Sequence, residues 1–484
     1  MCGFIGILGP QGTEIFPQLY NGLLAIQHRG QDAAGALTFN GRFHLHKARG
    51  LVREVFGEAE AARLKGHMGI AHVRYPTVGA GGVEDAQPFS IAYPFGIGMA
   101  HNGNVTNFDE IKRRLEGESH WHVNSGCDLE GILAVFGDEL GRQQVGQLQP
   151  EHVFRATEGV FRRVKGAYSV VGLIAGEGMY AFRDPYGIKP IVMGSRSDER
   201  GRRSWCVASE SVLLDILDFH GTQDIAPGEC VFIDRHGEVH RKVLAERPHS
   251  PCLFEWVYFA RPDSFLDRVS VYKTRLRLGE AMADIWRATG WHADVVIPVP
   301  ESAVTSAMAM ARALDLKYRE GLVKNRYIGR TFIMASNRQR QNSIRHKLNP
   351  IQLEFEGKDV LLVDDSIVRG NTSRQIVELA RRAGARKVYF ASVSPPLRHP
   401  CIYGIDMSTK NEFVAKDRSV EEIAAEIGAD GVVYQTLENL VGAVREGNPE
   451  LPATCNACFS GVYPTGDVTE DQLARIEAER LLPR

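Results

Sequence analysis

The sequence lacks the long apolar runs of membrane proteins: no stretch approaches the ~20 apolar residues that a membrane-spanning helix needs. It also has no excess charge of one sign, because 57 Lys and Arg balance 59 Asp and Glu and leave a formal net charge of −2. This balance gives no electrostatic reason to expect nucleic acid or an anionic membrane as a partner. The N-terminus has no basic region followed by a cleavage site, so we expect no secretory signal peptide.

Internal repeats and low-complexity segments are absent from the 484 residues as well. The chain is 44% hydrophobic and 24% charged, which is ordinary for a globular enzyme, and its length predicts two or three domains. We therefore expect a cytoplasmic protein. In that compartment its eight cysteines are thiols or metal ligands rather than disulfides.

The most informative stretch that is present is VLLVDDSIVRGNTS, residues 360–373. Its four apolar residues, 360–363, predict a buried strand of a parallel sheet. Asp364 and Asp365 follow, and a loop of small and hydroxyl residues then leads into helical spacing that ends near Gly384. This order builds a phosphate cradle from loop N–H groups and a helix N-terminus, and the neighbouring carboxylates can take sugar hydroxyls.

The same stretch resembles the signature of type I phosphoribosyltransferases, which bind 5-phosphoribosyl diphosphate (PRPP). The resemblance implies that Asp364 and Asp365 hold the ribose hydroxyls and belong to the shell of a magnesium ion. It also implies that Ser302, in the segment PVPES, joins this magnesium shell; a helix N-cap role for Ser302 is compatible with that. The residues that it implies around the 5-phosphate are Ser366, Val368, Arg369, Gly370, Asn371 and Thr372.

A long basic stretch, residues 322–350, lies between the two segments that carry these acids and Ser302. Charge runs are usually solvated, but a loop of this length is unusual in a compact α/β unit. The resemblance implies a loop that folds over PRPP and closes the site from water. Our candidates for contacts with the pyrophosphate are Lys324, Arg326 and Lys347.

At the other end of the chain, Cys2 follows the initiator Met directly. Removal of Met1 would leave Cys2 with a free α-amine, whose ordinary pKa of about 7.7–8.0 keeps much of it neutral near physiological pH. Such an amine can act as the base for its own thiol, so that one residue is both nucleophile and general base. Taken alone, Cys2 is better explained as a buried structural cysteine at the start of a strand, since free cysteine is among the most buried residue types.

Further segments decide between these interpretations. The runs QHRGQDAAG (27–35), AHVRYPTVG (71–79) and MAHNGNVTN (99–107), together with MCGFIGI, resemble the class II glutamine amidotransferases. The resemblance implies that Cys2 hydrolyses glutamine and that Arg74 pairs with the glutamine α-carboxylate, for which a planar guanidinium is suited. It assigns the oxyanion hole to the Asn102 side chain and the Gly103 N–H. Asp128, in SGCDLE, would hold the α-amine; the alternative for Asp128 is an acid at a helix N-terminus.

The two resemblances together describe an enzyme that transfers ammonia from glutamine to PRPP, giving 5-phosphoribosylamine, glutamate and pyrophosphate in the first committed step of purine synthesis. The implied fold is an N-terminal αββα sandwich over residues 2–235, a doubly wound parallel sheet over 260–450 and a C-terminal segment, 451–484. The family also implies feedback inhibition by purine nucleotides and a homotetramer or homodimer. A PRPP-sensing protein without catalysis is the rival hypothesis, and it predicts a damaged catalytic set.

Four further cysteines stand out: Cys252, Cys401, Cys455 and Cys458. Their separations are too wide for a compact zinc ribbon, and spacing alone leaves separate buried thiols open. One branch of the two-site family holds a 4Fe–4S cluster with cysteines in matching segments, and four thiolates are the usual ligands of such a cluster. Tetrahedral zinc is the other metal that fits. Members with the cluster commonly begin with a short propeptide, whereas only Met1 precedes Cys2 here.

Overall fold

The computed structural model describes residues 2–75, 82–325, 348–405 and 410–481. Within these ranges the chain forms two layered α/β bodies, the first of which contains two facing sheets and the second a parallel sheet. No helix in the described ranges is both long enough and apolar enough to cross a membrane.

The strands of the first body run in chain order from β1 to β13. They are β1 Gly3–Leu8, β2 Ala33–Phe39, β3 Phe43–Arg49, β4 Met68–Arg74, β5 Phe89–Ile91, β6 Ile97–Val105, β7 Gly166–Ile174, β8 Gly178–Arg183, β9 Val192–Ser197, β10 Arg203–Ala208, β11 His220–Asp224, β12 Glu229–Asp234 and β13 Val239–Val243. One sheet has the order β11-β9-β10-β1-β4-β2-β3 and the other β13-β12-β8-β7-β6-β5. Because β13 pairs with β12, this layer extends past residue 235.

Helices cover the outer faces of both sheets. They are α1 Phe16–Ala25, α2 Val52–Val55, α3 Glu58–Arg63, α4 Phe108–Arg114, α5 Asp128–Gly141, α6 Pro150–Arg163 and α7 Val212–Ile216. A fully buried apolar layer between the sheets includes Phe4, Ile70 and Val171. Since the facing strands alternate side chains between this layer and the helices, both faces of each sheet are buried. This arrangement is the predicted αββα sandwich.

The second body contains the remaining strands and most of the remaining helices. The strands are β14 Phe265–Leu266, β15 Val269–Ser270, β16 Val295–Pro298, β17 Lys317–Tyr318, β18 Leu322–Lys324, β19 Leu348–Pro350, β20 Asp359–Asp364, β21 Lys387–Ser392 and β22 Gly431–Tyr434. The helices are α8 Val271–Thr289, α9 Val304–Leu314, α10 Asn371–Arg382, α11 Val420–Ile427 and α12 Leu437–Arg445. The central sheet, β17-β16-β20-β21-β22, is parallel throughout, as expected for a doubly wound domain.

Strand β20 lies in the middle of this sheet, and its four apolar residues are completely buried, as the sequence predicts. The loops after β16 and β20 leave the same edge of the sheet, because parallel strands end on one side. Ligands of doubly wound sheets bind at that edge. The predicted phosphate loop and Ser302 are therefore brought together by the topology.

A linker and a C-terminal tail hold the two bodies together. The linker contains a π-helical turn, Glu255–Phe259, and the tail contains α13 Ala457–Ser460 and α14 Glu470–Leu481. Cys252 of the linker pairs with Cys455 of the tail in an isolated parallel bridge. The tail thus crosses the linker close to where the two bodies meet.

Candidate active sites

Cys2 lies at the entry to β1 and is buried, with 8% of its surface exposed. Its nitrogen donates to Asn102 Oδ1 at 3.3 Å, and its Sγ lies 3.6 Å from the carbonyl oxygen of Tyr75. Strand β1 belongs to one sheet and β6, which carries Asn102, to the other. The nucleophile predicted from the N-terminus and the amide predicted from a distant motif therefore meet across the sandwich.

Asn102 offers a donor that the protein itself does not use. Its side chain is completely buried, and Nδ2 has no hydrogen-bond partner among the described residues. A buried donor without an acceptor costs free energy, and such groups in folded proteins call for an explanation. An oxygen atom of a bound substrate would supply the missing acceptor, which agrees with the predicted oxyanion hole.

Gly103 follows in β6 with φ +150°, and a Cβ at this position would lie 1.9 Å from the carbonyl oxygen of Ala167. No other residue fits there without moving strand β7. The backbone therefore requires glycine beside Asn102, as expected if the Gly103 N–H is the second donor of the oxyanion hole.

Arg29 holds the backbone carbonyl of Cys2, whereas Asn102 accepts from the Cys2 nitrogen. Its Nε donates to the Cys2 carbonyl oxygen at 3.1 Å, its Nη2 contacts both oxygens of Glu255 at 2.9 Å, and its Nη1 pairs with Glu210. All three charged side chains are buried. Burial alone would lower the pKa of Arg29, but the two carboxylates outweigh it and raise the pKa. The motif QHRG contains Arg29, yet nothing in its local sequence identifies the two acids as partners.

Arg74 ends β4, and its guanidinium lies between two buried carboxylates. Nη1 is 3.5 Å from Asp32 Oδ2, and Nη2 is 3.5 Å from Asp85 Oδ2. Both contacts are longer than an ordinary charge-assisted hydrogen bond. Sequence reasoning missed both acids: Asp32 lies in the quoted motif QHRGQDAAG, whereas Asp85 belongs to no motif.

Asp128 is the first residue of α5, so the helix-start alternative describes its position correctly. Its Oδ2 accepts the Val105 N–H at 2.8 Å and lies 3.4 Å from His101 Nε2. Gln87 Nε2 donates to His101 Nδ1 at 2.9 Å, which leaves the proton on Nε2 facing the carboxylate. Burial favours a higher pKa for Asp128, but these donors outweigh it and keep the pKa below its usual value.

A second site lies at the carboxyl end of β20. Asp364 ends the strand, and the Asp365 N–H donates to its Oδ1 at 2.9 Å. Asp365 accepts from the hydroxyls of both Ser302 and Ser366, the latter at 2.7 Å. Burial raises the pKa of both acids, and the charge of Asp365 raises that of Asp364 further. Two buried carboxylates at one edge of the sheet offer oxygen ligands of the kind that a divalent cation takes.

The loop after these acids leads to the N-terminus of α10. Gly370 precedes the helix at φ +78°, a left-handed conformation that glycine adopts without strain. Val368 accepts the Val414 N–H through its carbonyl at 2.9 Å, and Arg369 Nη2 lies 3.1 Å from Glu412. Asn371 and Thr372 are exposed in the first turn, where the free N–H groups of a helix attract a phosphate.

Of the three pyrophosphate candidates, only Lys324 lies within the described residues. It ends β18, and its Nζ is 3.3 Å from Glu301 Oε2, next to Ser302. The ammonium is half-exposed on the same edge of the sheet as the two acids. Arg326 and Lys347 lie outside the described residues.

The four cysteines singled out by the sequence converge where linker, tail and second body meet, and all four are buried. The Cys455 N–H donates to the Pro251 carbonyl at 2.9 Å, and the Leu253 N–H donates to the Cys455 carbonyl at 3.1 Å. The His399 N–H reaches the Cys458 carbonyl at 3.1 Å. Burial raises the pKa of three of the thiols, and the neighbouring cysteines raise it further.

The surroundings of these cysteines suit an anionic centre. Lys189 is completely buried beside them, and although burial lowers the pKa of its ammonium, the proximity of Cys252 and Glu255 outweighs that and raises it. Any three of the four sulfurs, all of which belong to described residues, include at least one pair more than 4.8 Å apart. The Lys189 cation would stabilise the thiolates of either a zinc site or an iron–sulfur cluster.

Comparison with known proteins separates the chain into the same two parts. A family model for a glutamine amidotransferase domain matches residues 78–215, and one for a phosphoribosyl transferase domain matches residues 271–401. The chain is 47% identical to the amidophosphoribosyltransferase of Pasteurella multocida over 99% of this chain and 96% of the relative. It is 44% identical to the amidophosphoribosyltransferase of Saccharomyces cerevisiae over 99% of this chain and 95% of the relative.

Solved structures agree with these sequence matches. Glutamine PRPP amidotransferase from B. subtilis, in complex with ADP and GMP, superposes with a TM-score of 0.84 at 36% identity and covers 96% of this chain and 97% of its own. A structure described as the allosteric regulatory enzyme of purine biosynthesis gives a TM-score of 0.86 at 35% identity and covers 98% of this chain and 99% of its own. Sequence and fold are thus similar along nearly the whole length.

Proposed function

Because the chain belongs to the amidophosphoribosyltransferase family, we propose that the two sites described above are its glutaminase centre and its PRPP centre. The enzyme transfers ammonia from glutamine to PRPP and produces 5-phosphoribosylamine, glutamate and pyrophosphate, the first committed step of purine biosynthesis. The observation that carries the assignment of residues is the buried Asn102 Nδ2 beside Cys2, which has no partner among the described residues and which a substrate oxygen would complete.

In the glutaminase centre, the Cys2 thiol passes its proton to the Cys2 amine and attacks the amide carbon of glutamine. The developing oxyanion accepts from Asn102 Nδ2 and the Gly103 N–H, while Arg29 holds the Cys2 carbonyl in place. Ammonia leaves with a proton returned by the amine, and water then hydrolyses the thioester to glutamate. Arg74 takes the α-carboxylate and Asp128 the α-amine, which gives the site its preference for an amino acid.

In the PRPP centre, the loop from Ser366 to Thr372 and the N-terminus of α10 hold the 5-phosphate. Asp364 and Asp365 take the ribose hydroxyls. Ammonia attacks C1 of the ribose, the C1–O bond to pyrophosphate breaks, and the leaving group carries away the electron pair. Lys324, with the basic residues Arg326 and Lys347, neutralises the pyrophosphate as it leaves.

The acidic edge fits a magnesium ion. Asp364, Asp365 and Ser302 offer oxygen ligands, which Mg²⁺ prefers, and both acids are buried, so a bound cation would offset the cost of burying their charge. Magnesium bound there neutralises the charge of the diphosphate.

The four cysteines fit a 4Fe–4S cluster better than zinc. The argument rests on the match of all four to cysteines of the cluster-bearing branch of the family, on their burial and on the buried cation Lys189 beside them. Such a cluster would fasten the linker, through Cys252, to the tail, through Cys455 and Cys458. Neither half-reaction moves electrons, so we assign the four-cysteine site a structural role.

Regulation and assembly complete the proposal. The B. subtilis relative was solved with ADP and GMP, which supports feedback inhibition of this enzyme by purine nucleotides. We expect a cytoplasmic homotetramer or homodimer, in line with the family.

Substitution of the nucleophile tests the two-site scheme. In the variant Cys2→Ala, glutamine-dependent formation of phosphoribosylamine should vanish, because no thiol attacks the amide. Ammonia-dependent formation should survive within about twofold, because the PRPP centre is built from other residues. Cys206→Ala is the matched control, since Cys206 is a buried thiol in the same sheet. Loss of both activities in the Cys2 variant alone would contradict the scheme.

Metal analysis tests the cysteine site separately. Anaerobically purified protein should contain about four irons and four sulfides per chain, and a brown absorbance band that oxygen bleaches. The variant Cys458→Ser should lose the iron, whereas Cys230→Ser should keep it, because Cys230 lies in β12 away from the tail. Zinc at one per chain, or no metal in the wild-type protein, would reject the cluster and leave the amidotransferase activity unaffected.

A further inference from the structure

A short segment of the second body, residues 401–405, lies against strand β6 at the oxyanion hole. We call it the docking segment. Asn104 Nδ2 donates to the Ile402 carbonyl oxygen at 2.9 Å, and both residues are buried. Asn104 is two residues beyond Asn102 in the same strand and follows Gly103 directly. The hydrogen bond therefore joins the two bodies immediately beside the catalytic donors.

The backbone of the docking segment also touches Gly103. Gly404 has φ +93°, and a Cβ at that position would lie 2.6 Å from the Gly103 carbonyl oxygen and 2.7 Å from its carbonyl carbon. A contact this close is possible only for glycine. Gly103 is thus enclosed on one side by Ala167 of β7 and on the other by Gly404.

Strand β6 needs such a contact because it lacks a second strand there. Its pairing with β5 covers only Ile97 to Met99, whereas its pairing with β7 covers the whole strand to Val105. Beyond Met99, β7 is therefore the only strand partner of β6 in the described part of the chain. On the other edge the His101 N–H donates to Gln87 Oε1 and the Val105 N–H to Asp128 Oδ2, both at 2.8 Å, and the docking segment lies against Gly103 between them.

The docking segment is itself held by the C-terminal tail. The Tyr403 N–H faces Cys401 Sγ at 3.4 Å, the Tyr403 hydroxyl pairs with Thr465 Oγ1 at 2.7 Å, and the Tyr463 hydroxyl donates to the Pro400 carbonyl at 2.7 Å. The tail also carries Cys455 and Cys458. The position of the segment on β6 therefore depends on the packing of the four-cysteine region.

We propose that Asn104 is a positioning residue of the glutaminase. By donating to Ile402 it holds β6 in the register and orientation that aim the Gly103 N–H and Asn102 Nδ2 at one oxygen. The inference rests on the proposed function, since it concerns how the oxyanion hole is held rather than which groups form it. It assigns part of the glutaminase centre to the second body.

The variant Asn104→Ala tests the inference in the full-length enzyme. Removal of a whole oxyanion donor lowers kcat by about 10²–10³-fold. In Asn104→Ala both donors remain but are displaced, so kcat for glutamine should fall less, by about 10–100-fold. The KM for glutamine and the ammonia-dependent activity should stay within about twofold. An aldehyde analogue of glutamine, whose adduct with Cys2 places an oxygen in the hole, should bind more weakly by the same factor, while glutamate should bind unchanged.

Asn107→Ala is the matched control. Asn107 is equally buried, follows β6, and donates from Nδ2 to the Arg163 carbonyl at 3.0 Å, a contact within the first body. Its loss should lower the melting temperature without changing kcat for glutamine or the affinity for the aldehyde.

A second pair of variants approaches the same contact from the other side. Gly404→Ala places a methyl group against Gly103 and should reproduce the Asn104→Ala effects. Gly428→Ala introduces a side chain at a similar φ, +76°, but its nearest neighbour would be 4.0 Å away, so only stability should fall. This pair decides the matter if Asn104→Ala does not fold.

Two results would overturn the inference: unchanged kcat and aldehyde affinity in Asn104→Ala, or equal losses of aldehyde binding, glutamate binding and ammonia-dependent activity. The second result would reveal a general loss of structure. A wild-type enzyme that hydrolyses no glutamine would reject the proposed function, and the inference with it.

Discussion

The oxyanion hole can be tested by replacing one atom group. Asn102 uses Oδ1 to accept the Cys2 nitrogen at 3.3 Å, while Nδ2 is buried without a partner among the described residues. The variant Asn102→Asp keeps an acceptor for Cys2 at the same place and exchanges only the donor for a second oxygen. Shape and burial are conserved, so the change in rate reports the exchange of the donor for a charged oxygen.

The expected magnitude follows from removal of one donor that acts in the transition state. Such a loss costs about 2.7–4 kcal/mol, or about 10²–10³ in kcat. Repulsion between the new carboxylate and the oxyanion adds to this, so we expect the upper end of the range. The KM for glutamine should change little, because we assign its amino acid group to Arg74 and Asp128 rather than to Asn102.

The assay compares glutamine hydrolysis with ammonia-dependent release of pyrophosphate in the same preparation. Hydrolysis should fall by the factor above, and the ammonia-dependent rate should be retained, since Asp364 and Asp365 are untouched. Asn107→Asp, at the end of the same strand, controls for a new buried charge. A fall in kcat below threefold would refute the assignment of Asn102, and a matching fall in the ammonia-dependent rate would refute the separation of the two centres.

Two further predictions concern buried charges. Burial and the charge of Asp365 raise the pKa of Asp364 above its ordinary 3.8, so ionisation of Asp364 destabilises the magnesium-free fold increasingly as pH rises from 3.8 through the folded-state pKa. Asp364→Asn should therefore raise the melting temperature in EDTA at pH 8 and abolish transferase activity. Below pH 3.8 the variant should melt at the same temperature as the wild type. An equal gain in melting temperature at both pH values would contradict the reasoning. Arg29→Met removes the cation that the buried Glu210 and Glu255 share, and leaves Glu210 with His28 at 2.9 Å. It should lower the free energy of unfolding by about 3–5 kcal/mol in denaturant titrations. A loss below about 1 kcal/mol would show that water or other groups already satisfy these acids.

Local patterns in the sequence were sufficient for the PRPP centre. Strand, acids, small-residue loop and helix follow one another within residues 360–382, and the structure forms them as β20, the loop and α10. Each step depends on near neighbours: an apolar run buries a strand, glycine permits the turn at Gly370, and helical spacing follows. The roles of the individual residues, including Arg326 and Lys347 outside the described ranges, stay predictions.

The glutaminase centre was predictable only in its motif residues. Cys2, Arg74, Asn102 and Gly103 stand in recognisable segments, and the structure brings Cys2 and Asn102 into contact. Asp128 was predicted with a helix-start alternative, and it does begin α5 while it faces His101.

The tertiary structure alone decided the partners of these residues. Arg29 meets Glu210 and Glu255 across sequence separations of 181 and 226 residues, and Asn104 meets Ile402 across 298. Lys189 lies among cysteines from the linker and the tail. Sequence periodicity reports which face of an element is buried, because that depends on residues a few positions apart. Which charged or polar group meets another across the fold depends on how whole layers pack, and burial then makes the pairing obligatory because an unpaired buried charge is too costly to keep.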